Sequence, residues 1–116
     1  VMKINFDRGD IVLIDFDPSL GGEIKGSRPA LVISSKDFHK LGFALICPIT
    51  QGASFTARSN GFAVPLSGTG CTTNGIVVAY QARIVDYRQR NIKRIEKAPD
   101  YITNEVQDII DAIVHD

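Results

Sequence analysis

Five short apolar runs, each cut off by glycine, proline or polar residues, constrain the fold of this chain more than any other feature. They fall at 11–16, 30–34, 43–49, 62–66 and 76–79. Runs of this length, rich in Val, Ile and Phe, are too short for independent helices and read as β-strands. The run at 30–34 is almost continuously apolar, which fits a strand buried on both faces. Residues 81–85 continue the fifth run, and 90–97 hold one more strand.

Turn chemistry separates the runs. Asp17-Pro18-Ser19 opens a turn, and Gly21, Gly22 and Gly26 free the connection that follows. Ser35 suits the cap of a short helical turn over 36–41, which Gly42 ends. The polar stretch 51–61, with Gly52, Ser54, Ser59 and Asn60, reads as a long loop. After Pro99-Asp100 the period changes: Ile102, Val106, Ile109, Ile110 and Ile113 recur at helical spacing. Many short strands with one terminal helix predict a mainly β fold, either a small barrel or an α+β domain.

At 116 residues the chain is expected to form one domain, 1–116, and to bury roughly two-thirds of its unfolded surface. No apolar stretch approaches the roughly 20 residues of a membrane span. The N-terminus lacks the basic segment and apolar core of a secretory signal. A cytoplasmic protein is expected. Cys47 and Cys71 have no ligand-like spacing to each other or to His39 and His115. They read as reduced structural thiols, and no metal or other cofactor is expected. Both histidines are expected to be solvent-exposed.

The net charge is zero. Its distribution is uneven. Arg83, Arg88, Arg90, Lys93, Arg94 and Lys97 cluster in one stretch, while Glu105, Asp108, Asp111 and Asp116 occupy a tail without Lys or Arg. This split reads as a basic face beside an acidic helix, or as two separately solvated surfaces.

Two strand ends carry the chemistry. Arg28-Pro29 sits between Gly26-Ser27 and the run at 30–34, and Pro48-Ile49-Thr50-Gln51 closes the run at 43–49. A guanidinium fork and a hydroxyl at adjoining strand ends suit a phosphate. Alternatively Thr50 caps a turn, and Arg28 pairs with Glu23 or Asp17. Glu23, in the loop before Arg28, is the best-placed carboxylate; its other reading is a solvated loop charge. Phe16, Phe43 and Phe62 are expected in the core.

The ordered set of short motifs is more specific than any member. Arg8-Gly9-Asp10-Ile11-Val12, Asp15-Phe16-Asp17-Pro18, Gly21-Gly22-Glu23 and Gly26-Ser27-Arg28-Pro29-Ala30 come first. Pro48-Ile49-Thr50-Gln51-Gly52, Gly61-Phe62-Ala63-Val64, Gln81-Ala82-Arg83-Ile84-Val85-Asp86 and Lys93-Arg94-Ile95 follow. In this order the series resembles the MazF/PemK family of toxin ribonucleases, with its Kid and ChpB members, from about Arg8 to the final helix. The resemblance implies an SH3-like small barrel with a C-terminal helix, a homodimer and a cognate antitoxin protein. It also implies metal-independent cleavage of single-stranded RNA.

Such cleavage needs no metal if the neighbouring 2′-hydroxyl attacks the phosphate. Three tasks remain: taking the 2′ proton, stabilising charge on phosphorus, and protonating the 5′ oxygen. The resemblance places Arg28, Thr50 and Glu23 in these roles. Single-stranded RNA exposes its bases to aromatic stacking, so Phe55 or Tyr80 suits a base face. Gln51 and Gln81 suit base edges, and Arg58 and Arg83 the backbone. Phe55 also reads as a loop anchor and Tyr80 as a barrel residue. The Kid/PemK branch carries His, Arg and Asp where Gly22, Val78 and Tyr80 stand here, which leaves the base open. A CcdB-like toxin that binds a topoisomerase, and a non-catalytic RNA-binding SH3-like module, are the competing functions.

Overall fold

The computed structural model describes residues 4–17, 20–23, 25–51 and 60–115. Seven strands are present: β1 (Asp10–Asp15), β2 (Ser27–Val32), β3 (Phe43–Thr50), β4 (Ala63–Pro65), β5 (Ile76–Val78), β6 (Arg83–Asp86) and β7 (Lys93–Lys97). A short helix, α1 (Lys36–His39), joins β2 to β3, and α2 (Asp100–His115) ends the chain. The expected strands all form. The run 76–85 breaks, however, because a 3-10 turn at Ala79–Gln81 separates β5 from β6.

The pairing order is β4-β5-β3-β2-β1-β7, with β6 also paired to β3. All ladders are antiparallel. β3 is the hub, since it pairs β2 and β6 along its first part and β5 through Ile49 and Thr50. Eight residues let it serve both groups. The mainly β fold with a terminal helix is as expected, but closure into a barrel is not. Among the described residues no ladder joins β4 or β6 back to β7. Instead α2 packs on the Ala79–Gln81 turn and on β4, covering the end of the core with a helix face.

The pleat divides the interior in two, because successive side chains point to opposite faces. Ile11, Leu31, Cys47, Ile49 and Val77 pack with Ile102 and Val106 of α2. Val12, Ile14, Phe16, Ala30, Val32, Ile46 and Val85 pack on the other side with Phe6 and Tyr87. Strands used on both faces must be apolar at nearly every position, which explains the continuous run at 30–34. Burial pushes the Cys47 thiol up to about 12, so it stays protonated and inert. Both cysteines are free thiols.

Local signals act as expected at α1. The Ser35 hydroxyl accepts from the Phe38 N–H, and Gly42 follows with φ of +93°. Two expectations about side chains fail. His39 is fully buried, 0% exposed, rather than solvated. Its ring stacks 4.5 Å from Phe6, its Nε2 lies 2.7 Å from the Ser34 hydroxyl, and its carbonyl accepts from the Tyr87 hydroxyl. Conversely Phe43, which opens β3, and Phe62, just before β4, lie at the surface at 39% and 41% exposure; of the three phenylalanines expected in the core only Phe16 is buried.

Candidate active site

The two expected catalytic residues lie on neighbouring strands, Arg28 near the start of β2 and Thr50 at the end of β3. The pairs of the β2–β3 ladder are Val32 with Ile46, Leu31 with Cys47 and Ala30 with Pro48. The ladder ends there, two residues short of Arg28 and Thr50, whose recorded partners are Ile14 of β1 and Ile76 of β5; by the alternation of each strand they share the face of Ala30 and Ile46. Arg83 stands opposite Ile46 on β6. The pleat therefore aims Arg28, Thr50 and Arg83 toward one side of the sheet.

Arg28 is half-buried, and its Nε donates to the Lys25 carbonyl at 2.9 Å. That bond fixes the start of the side chain. Both terminal amino groups are without hydrogen-bond partners among the described residues, as an anion-binding fork requires. Neither Glu23 nor Asp17 pairs with it. Thr50 is half-buried at the last position of β3, where it pairs with Ile76 of β5. Gly75 lies beside it, and a Cβ there would come within 2.8 Å of the Thr50 carbonyl.

A second group forms around a cavity of about 380 Å³ lined by Gly22, Glu23, Tyr80, Gln81, Ala82 and Arg83. Glu23 folds its loop, because Oε1 accepts from the Leu20 N–H at 2.7 Å and its own N–H donates to the Leu20 carbonyl. The same Oε1 is 3.9 Å from Arg83 Nη1. Gln81 Nε2 donates to the Gly22 carbonyl at 3.3 Å. Tyr80 is 47% exposed at the rim, so it presents its ring to solvent rather than to the core. Glu23, Gln81, Tyr80 and Arg83 are thus assembled, while Arg28 and Thr50 do not line this cavity. Gln51 is exposed just beyond Thr50. Phe55 and Arg58 lie outside the described residues.

Arg83 is anchored more deeply than its sequence suggests. Its guanidinium lies over the Phe16 ring and donates to the Phe16 carbonyl. Burial, and then the Arg90 charge, pull its proton affinity below that of a free arginine. Arg90, not singled out for the site, holds the same corner through the Asp15 and Asp17 carbonyls. No local motif marks Phe16 or Arg90 for this task, because the contact joins residues far apart in sequence.

Three arginines of the basic stretch are already engaged with other groups. Arg88 is paired with Asp86, Arg94 with Asp10 at the start of β1, and Arg90 with the turn at its end. The acidic residues Glu105, Asp108 and Asp111 do form an exposed face of α2.

The family of the PemK-like, MazF-like toxins of type II toxin–antitoxin systems matches residues 7–114. The chain belongs to that family. Among its relatives is the endoribonuclease toxin ChpB of Escherichia coli strain K12, 45% identical over 98% of both chains. Escherichia coli endoribonuclease PemK is 40% identical over 90% of this chain and 78% of its own. The crystal structure of MazF from Deinococcus radiodurans superposes with a TM-score of 0.83, at 29% identity, over 97% of this chain and 98% of the other. A PemK/MazF-type fold thus carries the open sheet and helix described above. No described helix is long and apolar enough to cross a membrane.

Proposed function

We propose that this chain is the endoribonuclease toxin of a type II toxin–antitoxin system, acting in the cytoplasm as a homodimer of one toxin domain, residues 1–116. The full-length match to ChpB carries the reading. The placement of Arg28 and Thr50 on the same face of the neighbouring strands β2 and β3 supports it at the level of chemistry. The substrate is single-stranded RNA, and the reaction uses no metal ion. The 2′ oxygen forms a bond to phosphorus while the bond to the 5′ oxygen breaks, leaving a 2′,3′-cyclic phosphate and a 5′-hydroxyl.

Arg28 offers its free fork to the charge that grows on the phosphate oxygens, and Thr50 donates one hydrogen bond there. Glu23 takes the 2′ proton on Oε2, since Oε1 is occupied by the Leu20 N–H and faces Arg83. Arg28 supplies the proton taken up by the departing 5′ oxygen, so that one proton moves to Glu23 and one leaves Arg28. Tyr80 at the cavity rim stacks a base, and Gln51 and Gln81 read base edges. A cognate antitoxin is the protein partner. A crystal structure of MazE–MazF from Deinococcus radiodurans superposes on this chain with a TM-score of 0.77 at 27% identity, which supports that assignment.

The test is incubation of the purified protein with a long unstructured RNA in excess EDTA, mapping cut sites and end chemistry. Cuts at a short recurrent sequence with cyclic-phosphate ends are expected. Absence of cutting on RNAs of varied sequence would refute the enzymatic reading and leave a toxin that acts by binding alone.

A further inference from the structure

A second polar cavity lies at the far end of β1. It measures about 300 Å³ and is lined by Arg8, Gly9, Lys97, Asp100, Thr103 and Asn104. From Gly9 to Ile14, the partner of Arg28, the strand runs about 17 Å at roughly 3.4 Å per residue. The cavity is therefore separate from the Arg28–Thr50 pair.

Its donors outnumber its acceptors. Arg8 spends two N–H groups on the Ile33 carbonyl and on Asn104 Oδ1, at 3.0 and 3.1 Å. The rest of its fork has no partner among the described residues, and Lys97 forms no ion pair among them. The start of α2 adds the positive end of a 16-residue helix. Asp100 is the one carboxylate in the lining. The neighbouring Asp10 is paired with Arg94, and Asp7 accepts from the Arg8 and Lys36 N–H groups.

Thr103 points to a ligand independently of charge. Only 2% of it is exposed, and its hydroxyl has no hydrogen-bond partner among the described residues. An orphan buried hydroxyl costs stability, so apolar Val would be the better residue if structure alone mattered. The hydroxyl faces the space left by Gly9, where a Cβ would come 3.4 Å from Thr103 Oγ1 and 3.8 Å from Lys97 Nζ. Glycine at φ of +90° keeps this approach open.

We propose that this cavity binds a phosphate group, held by Arg8, Lys97, the first turn of α2 and the Thr103 hydroxyl. The size, the net positive charge and the surplus of donors match a tetrahedral anion. Two sources share that chemistry: a backbone phosphate of an RNA strand, and the free ion.

The test is NMR of the full chain carrying Arg28→Ala, titrated with inorganic phosphate and, separately, with a ten-nucleotide RNA, chloride serving as control. Saturable shifts of the Gly9, Tyr101 and Asn104 amides with phosphate, weakened about tenfold by Lys97→Gln, are expected. The same shifts with RNA, and a salt slope of binding reduced by about 0.7 in Lys97→Gln, assign the site to the RNA backbone. Shifts with phosphate and none with RNA assign it to the free ion. Thr103→Val should weaken phosphate while raising the unfolding midpoint. No shift with either probe, or unchanged affinity in both variants, overturns the proposal. The phosphate arm is independent of cleavage, so a protein that cuts no RNA still tests it.

Discussion

The Arg83 guanidinium lies 4.9 Å from the centre of the Phe16 ring and donates to the carbonyl of the same residue. One side chain thereby ties β6 to the end of β1 and faces Glu23 in the loop beyond it. Arg83→Met should lower stability by about 2 kcal/mol through the lost carbonyl bond and ring contact. It should also slow cleavage by loosening Glu23. Arg83→Lys should recover less than half, because an ammonium cannot lie flat on the ring and reach the carbonyl together. Urea unfolding of the three proteins checks the order; equal stability would refute the anchor.

Arg28→Ala should abolish cleavage and leave the unfolding midpoint nearly unchanged. Its only bond within the described residues is to an exposed loop carbonyl. Thr50→Val keeps the shape of the side chain and removes one donor, so the rate should fall about a hundredfold. Single-turnover cleavage beside thermal unfolding separates chemistry from folding. An active Arg28→Ala protein would remove this pair from the mechanism.

Stability depends on pH in two windows, one set by His39 and one set by carboxylates with lowered pKa values: Glu96, Asp7 and Asp86. Burial holds the His39 pKa below its ordinary value of 6.5, against weaker upward effects of the Phe6 backbone and Asp7. The unfolded chain then binds more protons than the folded one, so stability falls as pH drops below about 6.5. Glu96 accepts hydrogen bonds from the N–H and hydroxyl groups of Thr72 and Thr73, which hold its pKa at about 2 against an ordinary 4.5. Its contribution is complete above pH 4.5 and is lost as pH falls toward 2. Urea midpoints from pH 7 to 3 should therefore decline in two stages. His39→Gln should erase the first, and Glu96→Gln should shrink the second, leaving the part that Asp7 and Asp86 contribute.

The strands and the terminal helix were legible because each signal is local: β-branched runs, a serine cap, glycines at turns, an apolar stripe of period 3.6. The placement of Arg28 near the start of β2 and of Thr50 at the end of β3 was legible from the same runs. What lay out of reach depends on three-dimensional neighbours. His39 looks like a surface residue in Lys36-Asp37-Phe38-His39, yet Phe6 and Tyr87 close over it. The Phe16–Arg83 contact spans most of the chain, and no spacing rule encodes it. Failure of the barrel to close is equally non-local, because α2 takes the place that a closing ladder would fill.

Gly75 positions Thr50 by what it lacks. At φ of +127° it packs so closely on β3 that a Cβ would come 2.8 Å from the Thr50 carbonyl and 3.1 Å from the Ile49 side chain. The first contact is with backbone and cannot be relieved by a rotamer change. Gly75→Ala must therefore displace the end of β3, and Thr50 with it, from the β5 side. A cost of about 2–4 kcal/mol is expected from strain and displacement together. Cleavage should fall ten- to a hundredfold in the protein that remains folded, about what a misplacement near 1 Å costs. Gly70→Ala is the control, since its φ of +86° carries the same strain but no atom lies within 4 Å of the added carbon. It should cost about 1 kcal/mol and leave cleavage unchanged. Equal loss of activity in the two variants would show that glycine strain, and not the approach to Thr50, governs the site.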